Sequence, residues 1–168
     1  PKYLNAHQRE ILVHLSAIAV KLLETRNLSR DSSEQENQLR LLCDGAPLGI
    51  CKCDLTGSCD YVNTSWQTIC DMSEADAMGF GWTKAIHPED KKSVFTQWDK
   101  AIIAKSNVDI EFRIKRKDGA IKYVRAISNP LKSTIGSITG FVGSLEDVTN
   151  KKIQKEALRK STMLLEQT

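Results

Sequence analysis

The sequence has no long hydrophobic run. Its most apolar stretch, Ile11 to Val20, is interrupted by His14 and Ser16. A bilayer-spanning helix needs about 20 apolar residues, so no membrane contact is expected, and no signal-peptide pattern is visible. Blocks of one charge are missing as well. The net charge is only +3, with both signs interspersed. Basic runs interleaved with aromatics, the footprint of a nucleic-acid surface, do not occur. Catalytic signatures are absent too. There is no activated nucleophile, no paired acid–base constellation on one element, no phosphate loop and no Gly-Gly-Asp-Glu-Phe-type cyclase motif. The carboxylates are scattered over positions where solvated charge is the default, so no enzymatic activity is expected of this chain. The cysteines, Cys43, Cys51, Cys53, Cys59 and Cys70, are odd in number. Without a secretory signal they predict free thiols in a reducing, cytoplasmic compartment.

What is present fits one domain of ordinary size with some flanking structure: 168 residues, 40% of them hydrophobic. The chain starts at Pro1 and stops within a helical pattern, which reads as a piece of a longer protein. Its clearest local signal is Val108 to Lys115, where apolar and polar residues alternate. Such alternation marks a half-buried antiparallel strand. Lys117-Asp118-Gly119 follows as a turn, and Ile121 to Ile127 as the hairpin partner. Ile138 to Leu145 is a third strand, ending at Glu146-Asp147-Val148-Thr149, where a charged helix begins near Asn150.

Upstream, residues 5–27 read as an amphipathic helix with Ile11, Leu15, Ile18 and Leu22 on one stripe. A second helix is expected to run from Glu34 to about Cys43 and to stop at Gly45-Ala46-Pro47. Ile50 to Leu55 and Cys59 to Val62 form a first hairpin around Asp54-Leu55-Thr56-Gly57. Asn63-Thr64 caps a helix through about Cys70. His87 is expected as an N-cap, with Pro88 at the first helical position and Glu89 and Asp90 at the positive end of the helix dipole. That helix should reach about Ala104 with Val94, Trp98 and Ile102 facing inward. The expected class is α+β: a five-stranded antiparallel sheet with helices on one face, plus flanking N- and C-terminal helices. The parts are 1–36, a linker helix; 37–149, the domain; and 150–168, the start of a C-terminal helix.

In order, these pieces resemble a PAS domain with its C-terminal PAC motif, of the PAS-fold-3-like type. The residues that carry the resemblance are Ala46-Pro47-Leu48-Gly49-Ile50, Asp54 to Gly57, Tyr61 to Trp66, Gly79-Phe80-Gly81-Trp82, His87-Pro88-Glu89-Asp90, Trp98, Glu111 to Ile114 with Asp118-Gly119, Gly140 to Gly143, and Glu146-Asp147-Val148-Thr149. The resemblance implies a sensory or dimerisation module of a larger signalling protein such as a histidine kinase or a cyclic-dinucleotide enzyme. It also implies signal coupling through Asp147 and Thr149 into the helix that follows. Along that helix Ile153, Ala157, Ser161 and Leu164 form one stripe, like the start of a parallel coiled coil, so a homodimer through the flanking helices and a downstream output domain are the expected partners.

Candidate site residues follow from the resemblance and from polarity. Asn63, Trp66, Trp82, Trp98, Phe112, Tyr123 and Phe141 could line a pocket between sheet and helices for a small molecule. They could equally form plain core, and Asn63 could simply cap a helix. No His lies between Pro88 and Ala104, and no Cys lies between Gly79 and Thr83. Haem-binding members of the family that the chain resembles take their iron ligand from the long helix, and blue-light flavin members carry a reactive Cys after the first helices. The resemblance therefore implies neither haem nor cysteinyl-flavin chemistry here; non-covalent flavin stays open, and no cofactor is required. Cys51 and Cys53 share a strand face, with Cys59 opposite, but the spacing is not that of a zinc site. With Lys52 outward, both cysteines point inward, although Ile50 on the same face as Lys52 speaks against this. Three readings stand: a ligand-binding relay module, a ligand-free dimerisation domain, and a redox or gas sensor carrying flavin or haem.

Overall fold

The computed structural model of the protein describes Val13 and residues 32–165; the expected helix over residues 5–27 otherwise lies outside the described residues. Helix α1 (Ser32–Asp44) leads into strands β1 (Gly49–Cys53) and β2 (Cys59–Val62). Two short helices, α2 (Thr64–Cys70) and α3 (Glu74–Ala77), and a 3-10 turn at Gly81–Ala85 precede the longer α4 (Lys91–Ala104). Strands β3 (Val108–Lys115), β4 (Ile121–Lys132) and β5 (Ile138–Asp147) follow, and α5 (Thr149–Leu165) leaves the sheet. The strands make one sheet in the order β2-β1-β5-β4-β3, antiparallel throughout. The last strand in sequence is therefore the central one in space.

Alternation explains why the sheet has two faces. In β3, Val108, Ile110 and Ile114 are buried while Asp109, Glu111 and Lys115 are exposed. Of the inward set, Ile114 packs with Val62, Trp66, Ile69, Val124 and Leu145, while Val108 and Ile110 pack with Ile86, Val94 and Ala101. The β3–β4 turn closes with Gly119 at φ 84° and with Asp118 accepting from the Ala120 amide at 2.9 Å.

The outer face is covered at its β1–β2 end. Ile50 and Tyr61 pack there against Leu39, Cys43 and Ala46 from the end of α1 and the loop after it. This removes the objection raised by Ile50. Ile50 does share a face with Lys52, but α1 buries it, while Lys52 reaches Asp60 at 3.0 Å and Cys51 and Cys53 turn inward.

Helix α4 starts later than expected. Pro88 to Asp90 form a turn, and the first helical residue is Lys91. His87 closes that turn: its carbonyl accepts from the Asp90 and Lys91 amides at 2.9 and 3.2 Å, and its Nδ1 accepts from the Glu89 amide at 3.4 Å. Asp90 is held by a different element. Arg113 on β3 gives it a backbone amide at 2.7 Å and guanidinium donors at 2.6 and 3.1 Å. Val94 and Ala101 are buried beneath the helix, with Trp98 and Ile102 half-buried.

Among the described residues no helix is long and apolar enough to cross a membrane. Helix α5 carries apolar side chains in solvent, with Ile153 60% and Leu158 70% exposed.

Candidate functional site: an aromatic cavity and the strand that leaves it

Between the inner sheet face and the helices lies a cavity of about 80 Å³. Five of the seven expected residues line it: Trp66 from α2, Trp82 from the 3-10 turn, Trp98 from α4, Phe112 from β3 and Phe141 from β5. The aromatics are mutually braced. Trp82 meets Trp98 edge-on, with ring centres 6.1 Å apart, and Trp98 meets Phe141 at 5.6 Å. Such pairs add about 0.5–1.5 kcal/mol beyond their area burial. Gly57, in the β1–β2 turn, seats both indoles. Its carbonyl accepts from Trp82 Nε1 at 3.1 Å, and a Cβ on it would stand 2.7 Å from Trp98 Nε1. The Trp98 N–H is buried without a hydrogen-bond partner.

The remaining two expected residues lie elsewhere. Asn63 is 1% exposed and does not border the cavity. Its Oδ1 accepts from the Ile50 amide at 2.7 Å and from the Trp66 amide at 2.9 Å. Its Nδ2 donates to the Cys43 and Leu48 carbonyls at 2.7 and 3.0 Å. Every capacity of the amide is thus used, to cap α2 and to fasten it to β1 and α1. Tyr123 pairs with Arg113 in the ladder and so shares its outward face. Its ring lies under Lys152 of α5 at 4.9 Å.

Tyr123 belongs instead to the point where β5 passes into α5. Both the amide and the hydroxyl of Thr149 donate to Asp147 Oδ1, at 3.0 and 2.6 Å. The Thr149 oxygen accepts from the Tyr123 amide at 3.0 Å, and the Val148 amide donates to the Tyr123 carbonyl at 2.8 Å. Lys122 reaches Asp147 Oδ2 at 2.8 Å. Partial burial would raise the Asp147 carboxyl, but Lys122 and Thr149 outweigh it and hold it below the usual range. Lys152 ties the first turn of α5 to Glu111 at 2.9 Å.

Four thiols border the cavity: Cys51, Cys53, Cys59 and, from α2, Cys70. Spacing alone did not bring Cys70 to this group; it arrives because α2 lies across β1. Burial pushes Cys70 up to about 12 and Cys51 higher still. Among the described residues no three His, Cys, Asp or Glu side chains are placed to hold a metal ion.

Comparison with known proteins agrees with this architecture. The sequence model of the PAS fold matches residues 60–145. An uncharacterized protein of Sinorhizobium fredii, y4lL, is 30% identical over 77% of this chain and 16% of its own length. The peroxide stress-activated histidine kinase mak1 of Schizosaccharomyces pombe is 24% identical over 75% of this chain and 8% of its own length. The chain thus spans a small part of the curated relatives it matches. A solved sensory box histidine kinase/response regulator from Burkholderia thailandensis superposes with a TM-score of 0.58 at 22% identity, covering 78% of this chain and 99% of that one. On the fold, the aromatic cavity and the matched residues together, the chain belongs to the PAS family of sensory domains, which occur in histidine kinases.

Proposed function

We propose that this chain is the sensory and relay module of a larger cytoplasmic signalling protein, with a histidine kinase as the output its relatives favour. The carrying observation is the path of β5. Phe141 and Leu145 of this strand border the cavity, and Asp147 at its end bonds the first residue of α5. A change inside the cavity and a change in α5 therefore act on one central strand. A ligand shifts such a module only by its differential affinity for two states, and a few kcal/mol suffices.

The cavity volume limits the input. Pockets for drug-sized ligands run to roughly 300–1,000 Å³, several times the about 80 Å³ here. A molecule of a few heavy atoms fits, whereas flavin or haem would require Trp82 and Trp98 to leave their places. The exposed apolar side chains of α5, Ile153 and Leu158 among them, favour a homodimer through the flanking helices. A ligand-free dimerisation domain is the second reading, and the small cavity is the observation in its favour.

Two measurements test the proposal. Native mass spectrometry of the chain should give a dimer, with or without a small bound mass. In the full-length protein, Asp147→Ala should keep the fold and lose regulation of the output; regulation unchanged from wild type would refute the relay.

A further inference from the structure

We propose that Cys53 and Cys59 form a reversible dithiol–disulfide pair that reacts with small hydroperoxides at the edge of the cavity. The pairing rests on geometry, and only the order of attack on the acidity of the two thiols; both stand apart from the relay reading.

Cys53 and Cys59 are direct partners across β1 and β2. Cys59 spends both of its backbone groups on Gly79: its amide donates at 2.7 Å and its carbonyl accepts at 2.8 Å. It therefore exchanges no ladder hydrogen bonds with Cys53. Partners of this kind in antiparallel sheets stand close, with Cα atoms about 4.5 Å apart. That lies within the span of about 4.4–6.8 Å that a disulfide bridges. Both side chains point into the core, and the residues are 6% and 4% exposed.

The Cys59 thiol donates to the Tyr61 carbonyl at 3.4 Å. The neighbouring Cys53 holds Cys59 below the ordinary thiol range, while Cys59 and burial raise Cys53 above it. The thiolate is the nucleophile in thiol chemistry, so Cys59 attacks and Cys53 resolves. Cys51 and Cys70 border the same cavity, but burial keeps both protonated. The cavity admits the reactant, since a water-sized molecule occupies at least about 10–15 Å³.

The steps balance. The Cys59 sulfur attacks one peroxide oxygen and the O–O bond breaks. The departing oxygen takes up a proton and leaves as water or an alcohol, and Cys59 becomes a sulfenic acid. The Cys53 sulfur then attacks the Cys59 sulfur, the S–O bond breaks, and hydroxide leaves as water with the Cys53 proton. Two thiols and one hydroperoxide give one disulfide, one alcohol or water, and one water. A dithiol reductant restores the pair.

The test is treatment of the folded chain with hydrogen peroxide, blocking of remaining thiols, and cleavage at aspartates. Asp54 and Asp60 place the two cysteines on separate peptides. The expected product is a Cys53–Cys59 crosslink, lost on reduction. Cys53→Ala should lose the crosslink and leave Cys59 as a sulfenic acid that dimedone captures; Cys59→Ala should lose both. Should either variant fail to fold, the crosslink map of the wild type decides by itself. Oxidation confined to Cys51 or Cys70, or a crosslink formed only in denaturant, would overturn the assignment.

Discussion

Thr149 and Asp147 are bound twice: one carboxylate oxygen accepts both the amide and the hydroxyl of the residue two positions on. The same hydroxyl oxygen accepts from the Tyr123 amide of the neighbouring strand. A single side chain thus joins the end of β5, the start of α5 and the flank of β4. Thr149→Val keeps the shape and removes the two bonds of the hydroxyl, to Asp147 and from the Tyr123 amide, while the backbone amide still reaches Asp147. We expect a loss of about 1 kcal/mol, with faster hydrogen exchange at Tyr123 and over Thr149 to Lys152, and unchanged protection in β1 and β3. Uniform protection across α5 in the variant would contradict this.

Asn63 is the most committed polar side chain in the core. Asn63→Ala leaves the buried Ile50 and Trp66 amides without an acceptor and the Leu48 carbonyl without its Asn63 donor, and it leaves the Cys43 carbonyl with the Ala46 amide at 3.2 Å in place of two donors. Each buried polar group left unmet costs about 1–3 kcal/mol. A total loss of roughly 3 kcal/mol or more should appear as a lowered urea midpoint. Asn63→Asp should not rescue it, because it keeps the acceptor, loses the donors and buries a charge.

Gly57 combines two demands. Its φ is +86°, and a Cβ would press on Trp98 Nε1. Gly57→Ala should therefore cost about 1–3 kcal/mol through strain and overpacking. It should also disturb both tryptophans, since Trp82 bonds the carbonyl of the same residue. Tryptophan fluorescence and thermal unfolding check this together; a variant with the wild-type spectrum and midpoint would show that the turn has room.

Acid should loosen the join between α4 and β3. Arg113 is the main cause holding the Asp90 carboxyl below its ordinary value. A carboxyl lowered in the folded state contributes stability that is complete above the unfolded value of about 3.9 and is lost as pH falls through the folded one. Asp109, lowered mainly by Arg125, acts with the same sign. Stability from these groups should hold from neutral pH to about pH 4 and fall below it. Asp90→Asn should make that fall shallower, and an unchanged acid limb in denaturation curves would remove Asp90 from the account.

The sheet was legible in the sequence because alternation is a local property. Val108 to Lys115 and the Asp118-Gly119 turn mark β3, β4 and the face that each residue takes. Aromatic character does not place Tyr123; its register does. Phe112 faces in, so Arg113 faces out, and Tyr123 pairs with Arg113. The start of α4 was not legible, because the group that holds Asp90 lies in another element, 23 residues away. Asn63 could be read as a cap, which is local. Its bonds to Cys43, Leu48 and Ile50 depend on α1 and β1 meeting in space. The cavity aromatics were legible as a set, but the gathering of Cys70 with the strand thiols required the fold.

The central place of β5 has a mechanical consequence. It is laddered on both sides, to β1 and to β4, and its residues alternate between cavity and outer face. A slip of one residue would turn Phe141 and Leu145 outward and drive Val142 and Ser144 into the aromatic cluster. Sliding along its own axis is therefore closed to this strand, whereas twisting with its neighbours is not. On the relay proposed above, a signal carried by β5 would reach α5 as a change of angle and not as a slip of register, the strand serving as a torsion bar and not as a piston.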